Sequence, residues 1–185
     1  MTHGTGVIAE IRADHREAQE RIARLEALPV EDLRCRALAD ELTALLVRTA
    51  VAEETHVYPV VRERLGNGRE LADQEVSAHT RIEEILKELE DLEADDPRFT
   101  EGLSTLKSVV SAQALDEEVR LLPELARACS EQELNTLGQL VRRTKETAPT
   151  RPHPSLPTAP PAITFVAPGV GFVDRLRDTL SGRPH

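Results

Sequence analysis

The chain repeats itself. His15 and His79 stand 64 positions apart, and at the same offset Glu53 matches Glu117, Glu54 matches Glu118 and Pro59 matches Pro123. Leu25 and Leu28 match Leu89 and Leu92 in the same way, and residues 49–59 read in parallel with residues 113–123. A repeat of this length with apolar residues at helical spacing is one helical hairpin used twice. Two such hairpins, each with one apolar face, bury those faces by packing on each other. The expected fold is therefore all-α: an antiparallel up-down four-helix bundle with a pseudo-two-fold axis relating the hairpins.

The punctuation agrees. Helical periodicity spans residues 7–28, then from Pro29 and Glu31-Asp32 to residue 65, then 70–92, then 99–129. Gly66-Asn67-Gly68 and the acidic run ending at Pro97 separate the later segments. Ser130-Glu131-Gln132-Glu133 has the form of a capping box and opens a shorter fifth helix to about Glu146. Aromatic residues make up only 2% of the chain, too few for a β-sandwich and unremarkable for a bundle whose 39% apolar content is mostly aliphatic. Residues 5–146 are thus expected to form the bundle with its fifth helix. Residues 147–185 begin with a proline-rich strap and continue into a short amphipathic segment, and Phe165, Phe172, Val173 and Leu176 are expected to dock it on the bundle.

A net charge of −10 and the lack of any basic stripe argue against nucleic acid as a partner. No apolar run is long enough to cross a membrane and the N-terminus lacks a signal-peptide core, so a cytoplasmic address is expected. Cys35 and Cys129 fall near opposite ends of parallel helices and are expected to be free thiols.

The duplicated His15/His79 and Glu53/Glu117 each fall in mid-helix among apolar neighbours, and burying four ionisable groups without compensation is costly. A pair of metal ions held by imidazoles and carboxylates from facing helices supplies that compensation. Folding the hairpins about their turns sets Glu53 level with His79 and Glu75 level with Glu117. Glu75, His79 and Glu83 share one helix face, as do Thr49, Glu53 and His56. The candidate metal ligands are His15, Glu53, His56, Glu75, His79, Glu83 and Glu117, with His56 and Glu83 open between ligand and half-exposed surface. Glu54 and Glu118 are read as solvated or as supporting residues, and Asp14 and Glu17 as surface charge. Tyr58 is read as packing, with a phenolate contribution open if the helix kinks at Pro59. His3, His153 and His185 carry little signal.

These residues resemble the hemerythrin-like proteins of the HHE cation-binding family over residues 5–145, and the tail resembles extensions on actinobacterial members. The resemblance implies a four-helix bundle holding a non-haem di-iron centre with bridging carboxylates and mostly histidine terminal ligands. His15 and His79 match the histidines of the first and third helices, and Glu53 and Glu117 match the glutamates of the two His-x-x-x-Glu motifs. Glu75 stands where many members have a further His or Glu. Both motif histidines are missing, replaced by Thr49 and Gln113.

The same imidazole is lost twice, leaving a carboxylate-rich set that favours a harder, higher-valent metal over reversible oxygen carriage. The function this implies is iron binding linked to oxygen or peroxide chemistry, or to redox or iron sensing. Small molecules (O2, H2O2 or NO) are the partners, and a monomer or homodimer is the expected assembly. Any enzyme activity would be catalase- or peroxidase-like, or that of an oxygen-dependent di-iron oxidoreductase. A metal-free bundle stands as the alternative, acting as a binding module or as an enzyme that uses the interior as a pocket.

Overall fold

In the computed structural model, the structure describes residues 6–29, 32 and 34–154. The helices are α1 (Val7–Glu26), α2 (Arg34–Ala52), α3 (Tyr58–Arg64), α4 (Gly68–Glu90), α5 (Pro97–Asp116), α6 (Leu122–Ala128) and α7 (Glu131–Thr147), and no strand occurs among the described residues. The second long helix is α2 continued into α3, and the fourth is α5 continued into α6. With α1 and α4 they form the four-helix bundle, and α7 is the fifth helix, laid against α1 and α2.

The joins depart from the unbroken helices expected. Glu53–Val57 and Glu117–Leu121 are each one widened π turn, placed at equivalent positions of the two hairpins. The cause lies two residues beyond each turn's end. Pro59 and Pro123 have no N–H to donate, and their rings crowd the carbonyl four residues back, so each helix admits an extra residue rather than breaking. Thr55 turns its hydroxyl onto the Val51 carbonyl at 2.6 Å inside the first of these turns.

Caps follow the sequence. Asp96 accepts the Arg98 N–H at the start of α5, and Ser130 and Glu133 form the anticipated reciprocal box at the start of α7. The first helix ends at Glu26, two residues earlier than periodicity suggests, and Leu28 turns back to the Leu25 carbonyl.

Two apolar clusters fill the bundle. One, at the end of the 67 turn, gathers Ile11, Val57, Val61, Leu121, Leu125 and Val141 among others. The other, toward the 30 and 96 turns, gathers Ile22, Leu42, Leu86, Phe99 and Leu106 among others. Between them lies a polar layer that includes His15, Glu53, His79 and Glu117. Cys35 is buried and Cys129 half-buried; both are thiols outside any disulfide, and the Cys35 Sγ–H donates to the Pro29 carbonyl at 3.3 Å.

After α7 the chain turns across the bundle. Ala148, Thr150 and Pro152 are buried, the Arg151 guanidinium pairs with Glu90, and the His153 N–H donates to Glu83 Oε2 at 3.3 Å. Phe165, Phe172, Val173 and Leu176 lie outside the described residues.

Candidate metal centre

Each π turn aims two consecutive glutamates inward, at the histidine of the other hairpin. His79, on α4, has Nδ1 2.9 Å from Glu54 Oε1 and Nε2 3.3 Å from Glu53 Oε2. His15, on α1, has Nδ1 3.0 Å from Glu118 Oε1 and Nε2 3.0 Å from Glu117 Oε2. The sequence repeat has become a spatial one: each imidazole is gripped at both nitrogens by a Glu-Glu pair. A regular α-helix separates neighbouring side chains by about 100°, and the looser π turn narrows that angle enough for both carboxylates to reach one ring.

Tyr58 joins the halves. Its hydroxyl donates to Glu117 Oε1 at 2.9 Å and lies 3.3 Å from both Glu53 Oε2 and His79 Nε2, and its ring stacks on His79. Placed five residues beyond Glu53 and fully buried, it sits where the widened turn rotates it inward. Sequence reasoning favoured packing for this residue; the one available signal was Pro59 beside it.

The other predicted residues divide. Gln113, standing in a lost histidine's place, keeps its amide nitrogen 2.9 Å from His79 Nε2. Thr49, in the other, has a buried hydroxyl without a hydrogen-bond partner. Glu75 is buried with Oε1 unpartnered and hydrogen-bonds Asp116. Glu83 is buried beside the centre and receives the strap's His153 N–H. His56 is not brought to the cluster: its Nε2 lies 2.7 Å from Thr144 Oγ1 on α7. Asp14, read as surface charge, is buried and paired with Lys145 at 2.7 Å; Glu17 stays exposed, paired with Arg21. Glu54, read as solvated or supporting, is buried and supports.

The electrostatics are lopsided. Glu53, Glu54, Glu75, Glu83 and Glu117 are buried against two buried histidines. Burial opposes a charged His15, yet the hydrogen bond and charge of Glu117, with Glu53 and Glu118, outweigh it and raise its pKa to about 9. His79 is raised in the same manner by Glu53 and Glu54. Burial, then the Glu117 charge and the Asp116 hydrogen bond, push Glu75 up to about 8. Burial and the surrounding carboxylates lift Tyr58 well above its ordinary value. Each of these shifts favours the protonated form, because the layer is buried and crowded with carboxylates.

Among the described residues, no three His, Cys, Asp or Glu side chains converge as a ready set of metal ligands; the donors meet in pairs. The pairs nonetheless suit a metal ion. Two ligands each about 2.1 Å from one ion at a right angle lie about 3 Å apart, which is the spacing of His15 Nε2–Glu117 and close to that of His79 Nε2–Glu53. Metal-bound histidines usually donate their second nitrogen to a carboxylate, as Nδ1 of both rings does here. Glu53 Oε1 and Glu75 Oε1 are buried acceptors with nothing to accept from. A cavity of about 20 Å³, lined by His15, Thr49, Glu53, His79, Glu83 and Gln113 among others, leaves room for one water-sized species.

Comparison with known proteins points the same way. The family described as "Hemerythrin HHE cation binding domain" matches residues 6–125. An uncharacterized hemerythrin-like protein of Schizosaccharomyces pombe is 29% identical over 181 residues, covering 97% of this chain and 89% of that one. The crystal structure of a hemerythrin HHE cation binding domain-containing protein from Mycobacterium kansasii superimposes with a TM-score of 0.68 at 20% identity, over 77% of this chain and 86% of that chain.

Proposed function

The chain belongs to the hemerythrin HHE cation binding domain family, and from that premise we propose that its polar layer binds a pair of metal ions, iron first, in a histidine-poor site. The observation that carries this reading is the doubled grip on the imidazoles: Nδ1 of each is anchored by one carboxylate while Nε2 faces a second across the interior. His15 with Glu117 would hold one ion and His79 with Glu53 the other. Glu75 and Glu83 stand as further oxygen donors, and Glu54 and Glu118 fix the rings. His56 drops out of the ligand set, since α7 holds it.

Bound there, iron supplies a redox change and Lewis acidity. The chain's own residues supply the rest. Tyr58 keeps a proton beside Glu117 and Glu53, Gln113 and Thr49 crowd the positions that further imidazoles would take, and the two apolar clusters exclude bulk water from both sides. With one water-sized space beside the ligands, the reading favours reaction with O2 or H2O2, or sensing of small oxidants, over larger substrates.

The test is direct. Protein purified from iron-supplemented cells should retain close to two irons per chain by elemental analysis, with visible absorption that bleaches on reduction. His15→Ala and His79→Ala should each lower that content by about half. A chain that retains no iron or manganese, and whose melting temperature neither metal raises, would falsify the reading. The pairwise gathering of the donors favours a second reading, a protonated polar core without metal, and that is the outcome it predicts.

A further inference from the structure

Among the described residues, the cavity at the polar layer shares a wall with an outer groove. Along the seam of α1, α2 and α7, this groove encloses about 560 Å³, and its lining includes Asp14, Arg21, Glu41, Leu45, Arg48 and Lys145. Asp14 and Leu45 line both this groove and the inner cavity, so these two side chains form the partition. Leu45 is an aliphatic side chain on α2. Asp14 is held by α7: Lys145 Nζ lies 2.7 Å from both of its carboxylate oxygens, and reaches Glu10 at 3.5 Å. Asp14's neighbour in sequence, His15, belongs to one of the donor pairs.

We propose that this seam is the entrance to the centre, and that the Asp14–Lys145 pair is the door whose parting decides what reaches His15 from solvent.

The physical case rests on position and strength. The pair is mostly shielded from water, with side-chain exposures of 8% and 19%, so parting it strands a buried charge and the partition stays closed by default. Yet Lys145 has four rotatable methylenes and lies in the last turn of α7, so its swing opens the seam without moving a helix. The groove mixes acidic and basic side chains in similar number and so favours small neutral solutes over strongly charged ones. On the far side, Glu83, which also lines the cavity, accepts the strap's His153 N–H.

The proposal borrows from the metal reading only what the entrance would serve, and its test needs no metal. Chelator-treated full-length protein is held in D2O at pH 8, and exchange of the His15 imidazole C2–H, which needs nothing larger than water to enter, is followed by mass spectrometry. In Lys145→Ala the His15 rate should rise severalfold. Because that change strands a buried carboxylate, Asp14→Asn combined with Lys145→Ala serves as the second variant and should show the same rise with normal melting. Arg64→Ala removes the Arg64–Glu133 contact that ties α7 to α3, outside the groove, and should react like wild type, as should Arg151→Ala. An unchanged His15 rate in both Lys145 variants overturns the proposal. An equal rise in Arg64→Ala also overturns it, since loosening of α7 would then be the cause, and a rise in Arg151→Ala would place the entrance under the strap. Iron content, measured separately, tests the metal reading and leaves this one untouched.

Discussion

Protonation decides the state of individual side chains at the centre. His15 at about 9 and Glu75 at about 8 both bind protons more tightly in the folded protein than in the unfolded chain. For His15 the raised pKa contributes stability that is complete below its unfolded value of about 6.5 and is lost as pH climbs toward 9. For Glu75 the fold keeps a proton that the unfolded chain gives up above about 4.5, so stability falls between there and 8. Both slopes have the same sign, and they overlap between about 6.5 and 8. The metal-free protein should therefore melt at progressively lower temperature as pH rises through that window, as scanning calorimetry would read. Metal loading should flatten the slope and release protons, since the ligands bind deprotonated. A flat profile for the metal-free protein would contradict the buried, protonated layer.

At the scale of elements, the two π turns and the fifth helix set the geometry. The turns bring Glu53-Glu54 and Glu117-Glu118 onto their histidines, and the prolines beyond them make regular α-helix unfavourable there. The fifth helix is seated by a backbone contact. A Cβ on Gly138 would lie 2.8 Å from the carbonyl carbon of Gly6 and the nitrogen of Val7, where only backbone could give way. Gly138→Ala gains about 1 kcal/mol of helix propensity, but overpacking against backbone typically costs about 1–3 kcal/mol. The variant should gain nothing and lose up to about 2 kcal/mol in chemical denaturation despite being the better helix former. It should also weaken the Lys145–Asp14 and His56–Thr144 contacts that α7 makes about two turns later.

The whole molecule holds two apolar clusters separated by a polar floor, and the clusters should behave as independent cores. Leu106 and Leu125, each fully buried, lie on one continuous helix but in different clusters, on the order of 28 Å apart at 1.5 Å per residue. Truncating either to alanine should cost about 2–5 kcal/mol, and the double variant should equal the sum of the singles within about 0.5 kcal/mol. Coupling well beyond that would mean that the polar layer transmits strain between the ends.

The helical hairpins, their turns, the capping box at Ser130 and the duplication of His15 as His79 and of Glu53 as Glu117 were all legible in the chain, because each leaves a local or periodic trace. The 64-residue offset carried most of it: a duplicated hairpin duplicates every structural role. Register along helices was legible too, which is why Glu53 was expected level with His79. Direction around a helix was harder. Asp14, Glu54, His56 and Tyr58 were placed by assuming 3.6 residues per turn, and the π turns and the seat of α7 changed what each one faces.

Sequence by itself therefore determined the all-α bundle, its two-fold repeat and the four residues at its middle, since these follow from periodicity and self-similarity alone. Only the tertiary structure decided that the imidazoles are gripped across hairpins, that Tyr58 closes the centre and that α7 holds Asp14 and His56. Those outcomes depend on one extra residue in each of two helix turns and on one glycine contact, and such small angular choices leave no period in a sequence.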